Sequence, residues 1–490
     1  MKYEKTFIMN NKYDIYIYSE QNADISVADN IVIKEYQKVA NEYRSIENNG
    51  NKLRVHLILR SQALVNVLRR LPLEKSVAEN IELYAYTIED LWSMNILGVR
   101  FGSNSFINRT SIRPESNERV HLVLFGASAL AESLVINSAL TLHFPNYCRD
   151  NTLRTRITWV SDDINDFNRF KQQYHNLLEN SYRRNIIVNG NDVSVNTFAP
   201  KYSNERLDFV DIEWEFVECQ SYSDIMSYKL NKWSQDEEQQ LTIALCYDDE
   251  ERNLNESLSI SIRKDNSIPI LIKVKDDTSI QLIKQSNSYK QLVPIGMRDT
   301  IHKDMTDFIR MGQYINYAYC KMRDITSEEK KLGATEMLVA TDIPSEEDLQ
   351  KLWNNPKLTT AKRWSNIYNA FALTTKLRSL GYSNEDREKL YAINDKDVDI
   401  MAEVEHNRWS VEELILGYVP TSMEEHKEII ADNKKREQYK AEFKHDDLRN
   451  YSELGVDNTG LRVARYDIGL TRTLPLIAYA NYITEGGEYE

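Results

Sequence analysis

Apolar residues over the first 300 positions alternate between two spacings. Short runs at every second position, or unbroken, predict strands: YDIYIYS at 13–19, LRVHLIL at 53–59 and IELYAY at 81–86. Between them the apolar positions recur every three or four residues, at 31–47, up to 71, and through Leu91, Met94 and Leu97, which predicts helices. Ser61 and Thr87 stand where a short side-chain oxygen would cap a helix start. A polar stretch at 104–118 interrupts the pattern, which then restarts. Strands are predicted at 120–125 (VHLVLF), 156–160 (RITWV), 212–219, 241–247 (LTIALCY) and 268–274 (IPILIKV). Helices are predicted at 128–142, 167–180, 223–234 and 253–263. Strands that alternate with helices need crossover connections, so an α/β fold with a doubly wound parallel sheet is expected. Beyond residue 300 the two-residue period fades. Helices are expected at 304–322, 345–353, 361–380 and 397–416, with Gly381 and Gly417 as stops. The C-terminal part is therefore read as mostly α-helical.

Composition narrows the function. The 490 residues are 41% hydrophobic and 28% charged, which fits several packed cores rather than a disordered chain. The net charge of -14 opposes binding to a phosphate backbone, so no nucleic-acid partner is expected. Cys148, Cys219, Cys246 and Cys320 are singletons without metal-ligand spacing, read as isolated thiols in a reducing compartment. The apolar-leaning stretch 120–144 contains His121, Glu132, Asn137 and His143, so no transmembrane segment is expected. With no signal-peptide pattern at the start, the expected location is cytoplasmic.

Only 15 glycines are present, about half the usual share, which argues against several glycine-rich phosphate loops. One candidate turn remains. VHLVLF is followed by Gly126-Ala127-Ser128-Ala129-Leu130-Ala131, where a dinucleotide fingerprint would lie. The second glycine of that fingerprint is Ser128, and the third is Ala131. Ser128 either caps the following helix or contacts a phosphate. Asp162 and Asp163 end the next strand, 36 residues after Gly126, where a ribose-holding acid is wanted, though the usual distance is ~20. Asp248 and Asp249 end a later strand. Carboxyl ends of strands are where such sheets bind ligands, and solvated carboxylates are the alternative reading.

The helix around Glu405, His406, Arg408 and Trp409 carries a second set. Val404, Val411, Leu414 and Ile415 form one stripe, and Trp409 lies almost opposite, so either the helix is buried on two sides or Trp409 lines a pocket. Arg408 is placed to pair with Glu405 and Glu412, three and four residues away. A fixed guanidinium beside an aromatic face suits a planar anionic ligand, whereas an ion pair inside the core is the bland alternative.

Two stretches resemble known families. The segments IELYAYTIEDLWSMNIL, VHLVLFGASALAESLVINSALTLHF and LRTRITWVSDD are similar to the TrkA N-terminal (Rossmann) domain found fused to ryanodine-receptor repeats in bacteria. MAEVEHNRW, LGY and FKHDDLRNYSEL with RYD resemble, in order, the ryanodine-receptor (Ryr) repeat. The matching positions are Glu405, His406, Trp409, Gly417, His445, Leu448, Tyr451, Leu454, Tyr466 and Asp467. Tyr418, Asp446 and Asn450 depart from the pattern. The resemblance implies four segments: a Rossmann-like α/β segment at 1–110, a TrkA-N-like Rossmann domain at 118–300, a helical connector at 301–390 and a Ryr module at 391–485. It implies a ligand site of Glu405, His406, Arg408, Trp409, Tyr418, His445 and Tyr451, with Trp409 stacking on a ring and Tyr418 and Tyr451 completing an aromatic wall. A second site, in the Rossmann cleft, would use Gly126, Ser128, Asp162, Asp163 and Asp248. The implied function is a non-catalytic sensor of a nucleotide-type ligand (ATP, ADP-ribose or NAD), in bacterial defence or signalling, acting with a protein partner or as a homo-oligomer. An adaptor with vestigial pockets and a nucleotide- or NAD-hydrolysing enzyme are the alternatives.

Overall fold

The computed structural model describes residues 3–9, 12–19, 25–43, 52–71, 73–97, 107, 109–190, 192–221, 223–261, 268–297, 301–332, 344–355, 357–381, 395–456, 462–472 and 474. A four-stranded sheet comes first, with strands in the order β1 (Tyr3–Met9), β2 (Lys12–Ile17), β3 (Leu53–Leu59) and β4 (Ile81–Thr87). β1 runs antiparallel to β2, and β2, β3 and β4 are parallel. Both expected caps form: Ser61 Oγ accepts from the Leu64 amide and Thr87 Oγ1 from the Asp90 amide.

The second sheet has eight strands: β5 (Arg119–Phe125), β6 (Thr155–Ser161), β7 (Tyr182–Asn189), β8 (Asp192–Phe198), β9 (Ile212–Glu218), β10 (Gln239–Leu245), β11 (Ile270–Lys273) and β12 (Leu292–Ile295). Their order is β12-β11-β10-β5-β6-β9-β7-β8. Every pairing is parallel except β7 with β8. The chain builds outward from β5 to β6 and β9, then returns to the other side of β5 for β10, β11 and β12. The sheet is covered on both faces. Val120, Leu122 and Leu124 enter one apolar core, and Val123 and Phe125 enter the other. That is the two-residue period of a strand buried on both sides.

The first of those cores runs through all four expected segments, from Tyr84 and Leu124 to Ile309, Trp364 and Leu414. Its axis is the helix Ala129–Thr141, in which every residue but the first is buried. The helix's polar positions are paired rather than exposed. Ser133 Oγ donates to Asp90 at 2.7 Å, and Asn137 Nδ2 donates to Ser93 Oγ at 2.8 Å, joining it to the helix Ile88–Leu97.

Several elements differ from expectation. β1, the β7–β8 hairpin and β12 have no counterpart among the predicted strands. β8 is wholly exposed, so neither of its faces is marked out by burial. The helix expected at 167–180 is broken into a 3-10 turn at Ile164–Phe167 and helices Asn168–Gln173 and His175–Glu179. The one expected at 361–380 is divided at Ala372 into Thr360–Phe371 and Leu373–Ser379. No helix among the described residues is long and apolar enough to cross a membrane.

Candidate functional site

The switch from β5 to β10 opens toward the carboxyl ends of the strands, and the expected cleft residues gather there. Gly126 has φ +90°, and a Cβ on it would lie 2.7 Å from the Tyr247 backbone nitrogen and ring. Glycine is needed because Tyr247 packs directly on the turn. Ser128 is buried, and its Oγ accepts from the Ala131 amide at 3.3 Å, so it caps its own helix. Asp162 is gripped by Arg252, whose Nη1 and Nη2 donate at 2.7 and 3.1 Å. The same guanidinium lies 3.7 Å over the Tyr247 ring. Asp163 accepts from the Asn165 amide and caps the 3-10 turn. Asp248 is exposed and paired with Lys273 at 2.7 Å. Tyr247 and Arg252, which carried no signal in the sequence, thus pack on the Gly126 turn and on Asp162.

The helix Asp395–Ile415 is buried on two sides, and it separates its candidate residues into two groups. Glu405 and Arg408 face inward, 2% and 1% exposed. Arg408 Nη2 donates to Glu405 at 3.0 Å and Nη1 to Glu412 at 2.9 Å. Lys376 Nζ donates to Glu405 at 2.6 Å, Asn369 Nδ2 to Glu405 at 2.8 Å, and Ser365 Oγ to Glu412 at 3.0 Å. Burial pushes the Glu405 carboxyl up, but Arg408 and Lys376 outweigh it and hold it at about 2. The pairing read from the spacing forms. Its role is corrected: Glu405 and Arg408 close a core network and present nothing to a ligand.

The remaining candidates converge on the opposite side. The rings of Trp409 and His445 are 5.0 Å apart, Tyr418 and His445 5.9 Å, His406 and Trp409 5.6 Å, and His406 and Tyr451 5.9 Å. Trp409, Tyr418 and Tyr451 are half-buried, and Trp409 and Tyr418 pack against the edge of the main core, so the rings form a partly exposed aromatic cluster. Gly417, at φ +97°, ends the helix and turns Tyr418 into it. Phe443 stands at the rim, 43% exposed and 5.4 Å from Tyr418, with φ +61°, a conformation a bulky side chain adopts only under constraint. The chain around it is held by the pairing of Val419–Pro420 with Lys444–His445.

The two histidines differ in charge. His445 Nδ1 accepts from the Asp447 amide at 3.2 Å, and burial pushes its pKa down to about 4, so it is neutral with a proton on Nε2. His406 is 1% exposed. Its Nε2 donates to the Arg449 carbonyl at 2.9 Å and its Nδ1 faces Asp467 at 3.5 Å. Burial opposes its charge, but these two acceptors prevail and raise its pKa. His406 is buried against the rings of Trp409 and Tyr451. Glu413, which the helical phase sets near Trp409, is half-buried and accepts a hydrogen bond from the Trp409 side chain. Desolvation and the neighbouring Glu412 push it up to about 8, so it is a neutral donor at pH 7. Asp446 accepts from Thr421 Oγ1, His426 and Arg449 within 2.9 Å and anchors the segment that carries His445.

No family model, curated protein or solved structure matches the chain.

The cluster lies at a junction. Arg70, from the first α/β segment, donates to the Leu416 carbonyl at 2.9 Å and lies 5.3 Å over the Phe443 ring. Asn176 donates to the Gly417 carbonyl at 2.8 Å and Arg206 to the Thr421 carbonyl at 2.7 Å, both from the segment of the large sheet. Deeper, a cavity of about 20 Å³ is lined by Asn66, Arg69, Asp90, Trp364, Tyr368 and Glu412, among others. It has room for a water molecule and not for a nucleotide.

Proposed function

We propose that this chain is a non-catalytic regulator that recognises a nucleotide-type ligand (ATP, ADP-ribose or NAD) at the aromatic cluster of a Ryr-like C-terminal module. One observation carries the reading: the partly exposed rings of Trp409, Tyr418 and Phe443 converge over the buried His445, where Arg70 of the first α/β segment meets the C-terminal helices. Flat rings favour stacking on a planar base. The carboxyl of Glu413, pushed up to about 8, would be a donor suited to a base edge, and Arg70 supplies positive charge on the rim. A ligand seated on Phe443 and Tyr418 would press on Arg70 and alter how the first segment is held. That makes binding readable as a change in packing or assembly.

The large sheet fits a Rossmann-like reading. Counting only β5, β6, β9, β10, β11 and β12, the order is 3-2-1-4-5-6, that of dinucleotide-binding sheets. Tyr247 and Arg252 over Gly126 favour a vestigial cleft, so the ligand is assigned to the aromatic cluster. We place the protein in the cytoplasm, in a defence or signalling setting.

The test is thermal unfolding of the purified chain with ATP, ADP-ribose and NAD. A ligand at 100 times its dissociation constant stabilises by about 2.7 kcal/mol. The shift should vanish in Trp409→Ala, with the helical circular dichroism unchanged, and persist in Ser128→Trp. A shift that survives Trp409→Ala and is lost in Ser128→Trp would return the site to the sheet cleft. No shift with any nucleotide would favour the adaptor reading.

A further inference from the structure

We infer that β8 is a self-association edge, through which two copies of this chain pair antiparallel and join their eight-stranded sheets. β8 is the last strand of the sheet, and all seven of its residues are exposed on both faces. Among the described residues, no backbone hydrogen bond outside the β7 ladder involves it. Sheet edges of this kind are normally blunted by lysine, proline or a bulge. The sequence DVSVNTF has none of these, and its only charge is Asp192 at one end. Val193 and Val195 are 45% and 51% exposed.

The strand is complementary to itself. A two-fold axis at Val195 sets Val195 against Val195, Val193 against Thr197, Ser194 against Asn196 and Asp192 against Phe198. β-branched residues thus meet on one face and small polar ones near the centre of the other, both favourable cross-strand partners. In the hairpin, Val195 lies opposite Ile186, a member of the second core, and Val193 lies opposite Val188, which packs against that core. The pairing would continue this apolar surface from one copy to the next. Charge is complementary at both ends. Phe198 lies opposite Arg183, whose guanidinium is 4.8 Å over the Phe198 ring. Asp192 of the second copy would enter the same row, facing that cation across the ring. A two-fold contact of this kind closes on itself and ends at a dimer.

The test uses the full chain, with mass measured by light scattering after size exclusion. The unsubstituted chain should run at the mass of two copies. Val195→Lys places two ammonium groups face to face on the axis and should return it to one copy with its far-UV circular dichroism unchanged. Register is tested by oxidation. Val195→Cys should yield a covalent dimer, whereas in Val193→Cys the two thiols lie four residues apart along the strands, roughly 14 Å, too far to bond. Cys148, Cys219, Cys246 and Cys320, half-buried or buried, set the background of the unsubstituted chain. A monomeric unsubstituted chain, a dimer that survives Val195→Lys, or equal cross-linking at 193 and 195 would each overturn the proposal.

Discussion

At the residue scale the buried charges near Arg408 make the sharpest predictions. Glu405 and Glu412 both lean on this guanidinium from opposite sides. Arg408→Ala would leave two carboxylates buried around a void, and breaking a buried pair typically costs ~3–5 kcal/mol. Chemical denaturation should register a loss of that order. Glu405 has a depressed pKa. Its contribution is fully present above its ordinary value of 4.5 and is lost as pH falls through about 2. Glu413 has the opposite sign. With a folded value of about 8 against 4.5, the folded chain holds a proton the unfolded chain releases, so stability falls as pH rises between these values. Glu413→Gln should therefore gain on the unsubstituted chain progressively from pH 4.5 to about 8 in thermal midpoint, and keep its advantage above that. A difference independent of pH would show that Glu413 is not held neutral.

The element scale is set by the turn from β5 into the helix Ala129–Thr141. Removing the cap in Ser128→Ala should cost ~1 kcal/mol, since the helix start keeps its other contacts. Gly126→Ala is more severe. It forces an L side chain to φ +90° and into Tyr247, with a Cβ 2.7 Å from backbone. Strain and overpacking together should cost ~2–4 kcal/mol. Equilibrium unfolding of the two variants should rank them in that order. The reverse ranking would mean that Tyr247 yields and the cleft opens easily, which would restore it as a ligand site. The helix Asp395–Ile415 teaches a related lesson. Its stripe and the opposing Trp409 were visible in the sequence, but periodicity could not say whether the second face met core or solvent. The structure places Arg408 in the first and Trp409 at the edge of the second.

Across the whole molecule, Arg69 is the main tie between the first α/β segment and the helices beyond residue 300. Nε donates to the Ala85 carbonyl, Nη1 to Tyr368 at 2.6 Å and Nη2 to Asp90 at 3.1 Å, while the group lies 3.7 Å over Trp364. Arg69→Ala should destabilise by ~3–5 kcal/mol, because Asp90 keeps its hydrogen bond from Ser133 but loses the cation that compensates its buried charge. Hydrogen exchange should then rise together in β3, β4 and the helix Thr360–Phe371. Faster exchange confined to β3 and β4 would mean that the segments unfold separately.

Much of this architecture is local in origin. Runs such as VHLVLF and LTIALCY are strands because unbroken apolar residues can be buried only on a sheet covered on both faces, and Ser61, Thr87, Ser128 and Ser223 cap helices because their side chains reach amides three residues on. The meeting of Trp409, His445, Tyr418 and Tyr451 was legible only as an ordered motif, since nothing in their spacing brings residues 409 and 445 together. Other features had no local signal at all. β8 is exposed throughout and owes its extended form to pairing with β7. Tyr247 reaches Gly126 because parallel strands β5 and β10 end side by side, and Arg252 reaches Asp162 across the same edge. Periodicity and capping act over a few residues and are written in the chain. Burial, the pairing of distant charges and the packing of Tyr247 on a turn depend on which strands become neighbours, and only the assembled sheet decides that.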